Sequence, residues 1–199
     1  MANTIITISR TYGSGGRKIG RLAAERAGIP CYDRELIYLT SAKSGVPASL
    51  LSDNDEGLSK RKPDITIPEE KNKYVSKDEV FLSQSQTIRE LADKSDCVII
   101  GRCADTILRS SRHRLIRVFV WAPTELCIQR VSEMLHISEK EAEKTIKEID
   151  RHREDYYRYH TGRHQDNARN FDLCFDTSRI SYEQAVKVIS SYAELISGL

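Results

Sequence analysis

The stretch SRTYGSGGRKIG at residues 9–20 follows directly on the apolar run TIITI. Thr4 to Ser9 is short, β-branched and apolar, which predicts a buried strand. Gly13, Gly15 and Gly16 then crowd into one turn. After it, Ile19, Leu22, Ala23 and Ala27 recur at helical spacing, and Gly28-Ile29-Pro30 stops that helix. A strand, a glycine turn and a helix in direct succession restrict the chain to folds that present bare backbone N–H groups at a helix N-terminus. Such a terminus carries a positive dipole and unsatisfied donors, so it attracts anions. The turn can therefore be an anion cradle or a tight structural corner, and three glycines at this place favour the cradle.

The rest of the chain keeps the same alternation. Cys31-Tyr32 reads as a short second strand with Asp33 at its end, and residues 35–51 carry a helical pattern. Residues 52–78, polar and charged with two prolines, read as an exposed, mobile insertion. Val80 to Ala92 is an amphipathic helix, and Cys97 to Ile100 an apolar strand ending at Gly101. Leu115 to Ala122 is another strand, closed by Pro123, with Thr124 placed to cap the next helix. Ser138 opens a capping box and a charged helix to about Tyr159. Asp172 to Phe175 predicts a last strand, and a second capping box, Ser181 to Gln184, opens a terminal helix. The expected class is α/β, with helices on both sides of a central, mostly parallel sheet in one domain.

Composition narrows the function less than the pattern does. A net charge of +2 over 199 residues argues neither for nor against nucleic acid, and Lys60 to Lys62 is too short a basic run to change that. No stretch approaches the roughly 20 apolar residues of a membrane span, and the N-terminus has no secretory pattern. The five cysteines are odd in number and contain no CxxC pair, which fits a reducing, cytoplasmic setting. Cys97, Cys127 and Cys174 lie in apolar runs and are expected to be buried. His160 and His164 show no metal-ligand spacing with a third group.

Two phosphate-binding patterns compete for the turn. In GxxxxGK[ST], with Gly15 as the second glycine, the first glycine falls on Arg10, the lysine on Gly16 and the hydroxyl residue on Arg17. Positive charge has moved to Arg10, Arg17 and Lys18. Arg17 can reach over phosphates but cannot ligate Mg²⁺ as a hydroxyl does. The dinucleotide pattern GxGxxG would need glycine at Lys18, although Asp33 lies about where an acidic ribose ligand belongs.

Three further stretches add to the turn: CVIIGRCAD (Cys97 to Asp105), EIDRHREDYYRYHTGR (Glu148 to Arg163) and DTSRIS (Asp176 to Ser181). In this order and spacing the chain resembles the cytidylate kinases, most closely the cytidylate kinase-like group. The resemblance implies a P-loop nucleoside monophosphate kinase fold. It implies a phosphate loop from Arg10 to Lys18, including Gly13, Ser14, Gly15, Gly16 and Arg17. It implies a helical acceptor-binding subdomain within about residues 33–95, and an arginine-rich lid at about 151–163 with Arg151, Arg153, Arg158 and Arg163. Arg102 would hold the acceptor phosphate, Asp33 or Asp105 its sugar or base, and the backbone at Thr177 and Ser178 would lie near the donor adenine. ATP and Mg²⁺ are the implied cofactors, with no protein ligand assigned to the metal. In the lid, cytidylate kinases carry an Arg-Asp pair where this chain has Ile149-Asp150.

Each assignment has a plainer alternative. Arg102 could cap the sheet in a salt bridge, and the lid arginines share their helix with Glu148, Asp150, Glu154 and Asp155, as a solvated charged face would. Three functions stay open on sequence. One is an ATP-dependent kinase of a nucleoside monophosphate or similar phosphorylated acceptor, in which Arg10 or Arg17 replaces the lysine and Arg102, Arg153 and Arg158 bind phosphate. The others are a non-catalytic nucleotide sensor and a dinucleotide-binding protein.

Overall fold

A computed structural model describes residues 2–53 and 76–197. Five parallel strands lie in the order β2-β3-β1-β4-β5. They are β1 (Thr4–Arg10), β2 (Cys31–Tyr32), β3 (Cys97–Ile100), β4 (Arg114–Trp121) and β5 (Leu173–Asp176). The helices are α1 (Gly16–Ala27), α2 (Glu35–Ser44), α3 (Ala48–Asp53), α4 (Lys77–Lys94), α5 (Ala104–Ile107), α6 (Thr124–Leu135), α7 (Glu139–Thr161) and α8 (Tyr182–Ser197). Most of the expected insertion, residues 54–75, lies outside the described residues. Among the described residues, no helix is long and apolar enough to cross a membrane.

The central strand β3 is apolar at every position, and β1 and β4 are rich in β-branched apolar residues, because both faces of the sheet are covered. Side chains alternate across a strand, so each strand feeds two cores. Ile6, Ile8, Val98, Ile100, Ile116, Val118 and Val120 pack with Ile19 and Ala23 of α1 and Val186 and Ile189 of α8. Ile5, Cys97 and Ile99 pack on the other side with Leu36, Ile88, Leu91, Leu108 and Tyr157 from α2, α4, the turn after α5, and α7. The result is a three-layer α/β/α arrangement. Gly20 lets α1 lie close on the sheet, since a Cβ there would meet Ile100 Cδ1 at 3.0 Å.

Several boundaries differ from expectation for local reasons. The helical pattern of residues 35–51 splits at Gly45, which closes α2 with φ 70. Helix α4 begins three residues before Val80, because Ser76 and Glu79 form a capping box. Thr124 is the first residue of α6 rather than its cap. Cys174 is exposed, not buried: β5 is an edge strand with one flank to solvent, while Cys97 and Cys127 are buried as expected.

The strand order also separates the two phosphate-binding readings. Here β1 lies between β3 and β4, whereas the dinucleotide fold sets its first strand beside its second. Since all strands are parallel, the Arg10–Gly16 turn, Asp33, Gly101-Arg102 and Asp176-Thr177 emerge at the same carboxyl-terminal edge, where such sheets bind ligands.

Candidate active site

A cleft of about 460 Å³ opens at that edge over the glycine turn, within the roughly 300–1,000 Å³ of small-molecule pockets. Gly13 and Gly15 have φ of 83 and 88, a left-handed conformation that side chains disfavour. Gly15 is the N-cap of α1, with no side chain over the orphan N–H groups of the first turn. Ser14 is fully buried, and its hydroxyl donates to Thr11 O at 2.8 Å, so that group serves the turn itself.

The missing lysine has a steric explanation. A Cβ on Gly16 would sit 2.6 Å from Arg10 Cβ and 3.2 Å from Val120 Cβ. No side chain fits there while Arg10 stands opposite. A side chain at position 10 therefore demands glycine at position 16. The cationic side chain enters the cleft from the end of β1 instead of the start of α1, and Arg10 lines it while buried to 5% exposure.

Six cationic residues line the cleft: Arg10, Arg17, Lys18, Arg21, Arg130 and Arg153. Among the described residues, no carboxylate lines it. The nearest acids are already engaged with cations or backbone. Asp33, buried, holds Arg17 through a 2.6 Å contact from Nε to Oδ2. Asp150 accepts the Tyr12 N–H at 2.8 Å and lies 3.5 Å from Arg153 Nη1. Burial raises the Asp150 pKa, and Arg153, the Tyr12 N–H and Arg10 oppose that rise.

Arg102 reaches its position through an unusual backbone. Gly101, Arg102 and Cys103 have successive φ of 75, 55 and 56. A left-handed arginine is uncommon, and such strain costs about 1–3 kcal/mol where the surroundings enforce it. The turn folds Arg102 beneath β2, where Nη1 donates to Asp33 O at 2.7 Å. Arg102 is 2% exposed and, although bonded to the Asp33 that holds Arg17, does not itself line the cleft.

The four expected lid arginines separate. Arg153 faces the cleft, with Nη1 3.4 Å from Arg10 O and its guanidinium 5.6 Å from the Tyr12 ring centre. Arg151 and Arg158 are exposed, Arg158 paired at 3.5 Å with Asp155, and neither they nor Arg163 line the cleft. A helix presents one stripe to its neighbour, and Ile146, Ile149, Arg153 and Tyr157 form that stripe in α7. The loop after α7 folds back so that donor atoms of Glu154, His164 and Asp166 lie within 4.8 Å of one another, a grouping hidden in the spacing. His164 Nδ1 is 2.7 Å from Glu154 Oε1.

Arg130 and Tyr182 carry no motif signal, yet both shape the cleft. Arg130, on α6, donates to Thr177 Oγ1 at 2.9 Å and Thr177 O at 3.1 Å. It also reaches Gly13 O and Ser14 O at 3.4 Å. Thr177 Oγ1 donates to Ser14 O at 2.8 Å. The glycine turn is thus tied to the turn after β5. Ser178, expected beside Thr177, is exposed. Arg130, in the second turn of α6, and Tyr182, the first residue of α8, are placed here by how those helices pack.

Asp105 is buried on the α7 side of the sheet, not in the cleft. Tyr157 Oη donates to its Oδ2 at 2.6 Å, and Oδ1 has no hydrogen-bond partner. Burial raises its pKa, opposed by the Tyr157 and Thr106 hydroxyls. A raised folded-state pKa favours folding at low pH, and that advantage is lost as pH rises through the folded value. We expect Asp105→Asn, which still accepts from Tyr157, to raise the melting temperature above neutral pH and to lose this gain towards pH 4. Each kcal/mol recovered corresponds to about 2–4 °C. Thermal melts of both proteins from pH 4 to 8 check this.

Among the described residues no cysteine lines the cleft, and burial raises the pKa of the Cys127 thiol, which packs under Gly13. Burial pushes the Cys97 thiol up to about 12 and the Cys31 thiol up to about 11, so neither is a nucleophile near neutral pH.

Comparison with known proteins bears on the family and the fold. The profile of the Cytidylate kinase-like family matches residues 5–179. The chain belongs to the cytidylate kinase-like family. Among solved structures it is similar to an uncharacterized protein from Eubacterium ventriosum, at 25% identity and a TM-score of 0.74, covering 96% of this chain and 99% of that one. Shikimate kinase from Acinetobacter baumannii, in complex with shikimate, matches at 15% identity and a TM-score of 0.53, covering 100% and 95% of the two chains. A gluconokinase from Sinorhizobium meliloti matches at 14% and 0.54, covering 98% and 95%. These two likenesses show the fold, that of small P-loop kinases. No curated protein matches the sequence significantly.

Proposed function

We propose that this cytidylate kinase-like protein transfers the terminal phosphoryl group of ATP to a small phosphorylated acceptor, in the first instance CMP or a related nucleoside monophosphate. The observation that carries the reading is the convergence of six cationic residues, with no lining carboxylate, on the bare N-terminus of α1. Phosphoryl transfer needs little covalent help from the protein. Its catalysis is positioning together with neutralisation of charge on the transferred group.

In this reading the N–H groups around Gly13, Gly15 and Gly16 cradle the donor phosphates, and Lys18 adds charge at the same turn. Arg10 stands in for the usual lysine. Arg153 covers the site from α7, so the lid of residues 151–163 reduces to one residue facing the cleft. Arg17 lies between donor and acceptor, ready to exchange the Asp33 carboxylate for a phosphate. Arg102 and Asp33 belong to the acceptor half, beside the region of about residues 33–95 and in the β3–α5 turn, while Asp105, buried against Tyr157, takes no part in it. An acceptor that is already an anionic phosphate needs no strong general base. The cradle fits ATP. The cleft offers Mg²⁺ no carboxylate, so the metal that neutralises charge in such reactions would rest on phosphate oxygens and water.

A second reading, a non-catalytic nucleotide sensor, draws on the Arg17–Asp33 contact, which keeps one cation engaged away from a donor. The purified protein incubated with ATP, Mg²⁺ and a panel of nucleoside monophosphates separates the two. Acceptor-dependent ADP formation supports the kinase. ATP binding with no ADP formed on any acceptor supports the sensor. Unchanged turnover in Arg17→Ala would remove Arg17 from the machinery.

A further inference from the structure

The cleft has a second, apolar end, built from Leu22 of α1, Val131 and Met134 of α6 and the ring of Tyr182 at the start of α8. Tyr182 is half-buried and packs so closely on the glycine turn that a Cβ on Gly15 would meet its Cε1 at 2.4 Å. Lys18 Nζ lies 5.2 Å and the Arg130 guanidinium 5.6 Å from its ring centre. A flat apolar surface beside a phosphate cradle suits the base of a bound nucleotide.

Reading a base requires hydrogen bonds to its edge. Among the described residues, no Asn, Gln, Asp or Glu lines the cleft. The turn after β5, which Arg130 and Thr177 tie to the glycine turn, has its donors engaged. Thr177 N–H donates to Trp121 O at 2.9 Å, and Arg179 N–H to Asp176 O at 3.1 Å. Ser178 N–H donates to Asp176 Oδ1 at 2.9 Å. The Thr177 carbonyl already accepts from Arg130. Three successive N–H groups that could meet a purine ring nitrogen are therefore already engaged, two within the turn and one with the end of β4.

Resting on the kinase reading above, we propose that the donor base is held by contact with Tyr182 and the apolar end and is not identified by its edge. The protein takes purine nucleoside triphosphates as a class, with ATP and GTP interchangeable, and derives donor specificity from the phosphates. A site that hydrogen-bonds a ligand group rejects its absence by about 10⁴–10⁵, whereas apolar contact discriminates by about 10–200 at most. Adenine and guanine offer nearly the same stacking face, so they differ here by less than that.

Calorimetric titration of the full chain with ATP, GTP and inorganic tripolyphosphate, for the native protein, Tyr182→Phe and Tyr182→Ala, tests this. ATP and GTP are expected to bind within about tenfold of each other, roughly the net value of one hydrogen bond. Tyr182→Ala is expected to weaken both by about 5–150-fold, the range for losing one base-stacking aromatic ring. Tripolyphosphate affinity stays unchanged in that variant, and Tyr182→Phe behaves as the native protein. A preference for ATP over GTP beyond about tenfold overturns the proposal and leaves the kinase reading standing. A parallel loss of tripolyphosphate binding in Tyr182→Ala overturns it too, because Tyr182 then only supports the glycine turn. Failure of all three ligands to bind the native protein overturns both.

Discussion

Arg10→Ala is expected to lower the turnover of ATP by about 10²–10³, the effect of removing one preorganised charge-stabilising donor from an active site. The fold should survive, since the residue lines a cleft and supports no core cluster. The companion substitution is more telling. Gly16→Lys restores the ordinary phosphate-loop lysine, yet its Cβ would lie 2.6 Å from Arg10 Cβ. Overpacking of this kind costs about 1–3 kcal/mol, so the single variant should melt lower and lose activity. The double variant Arg10→Gly, Gly16→Lys removes the clash and returns the cation to the helix. It should be more stable and more active than the sum of the single effects allows, with a coupling of about 0.5–3 kcal/mol. Steady-state kinetics and thermal melts on the four proteins check this. Simple additivity would show that the two departures are unrelated.

Arg130→Ala has the second large effect. The side chain holds four oxygens: Thr177 Oγ1, Thr177 O, Gly13 O and Ser14 O. Ser14 O keeps the Thr177 hydroxyl as a donor, but each buried acceptor left without one costs about 1–3 kcal/mol. Thr177 is itself buried, so water would not readily replace the guanidinium. Losing the link frees the glycine turn from the turn after β5, and we expect nucleotide affinity to fall at least 10²-fold. Arg130→Lys should recover little, because one ammonium cannot span the positions a planar fork reaches. Binding measurements on both variants check the point, and near-native affinity in Arg130→Lys would show that charge alone matters there.

The sequence made the frame legible because the frame depends on short-range signals. Apolar runs at β1, β3 and β4, capping boxes at Ser138 and Ser181, and the stop at Gly28 each encode local structure within a few residues. The glycine turn was legible for the same reason. What stayed hidden depends on pairing at long range. That Gly16 excludes a side chain follows from Arg10 across the turn and from Val120 on the neighbouring strand. That Arg153 reaches the cleft while Arg158 does not follows from the stripe of α7 that meets the sheet. The burial of Cys174 failed as an expectation because an apolar run does not disclose whether its strand lies at an edge. Arg130 and Tyr182 belong to no motif, and only the packing of α6 and α8 against the glycine turn brings them in.

The central claim is that a nucleotide's phosphates sit between the glycine turn and α7, held by cations that replace the usual lysine. Calorimetric titration with ATP of the native protein, Arg10→Ala, Arg153→Ala and Arg158→Ala tests it most directly. Arg10 and Arg153 line the cleft, whereas Arg158 lies outside it. The account predicts that the first two variants bind ATP at least tenfold more weakly and that Arg158→Ala binds it as the native protein does. Undiminished binding in Arg10→Ala and Arg153→Ala, or an equal loss in Arg158→Ala, would contradict it.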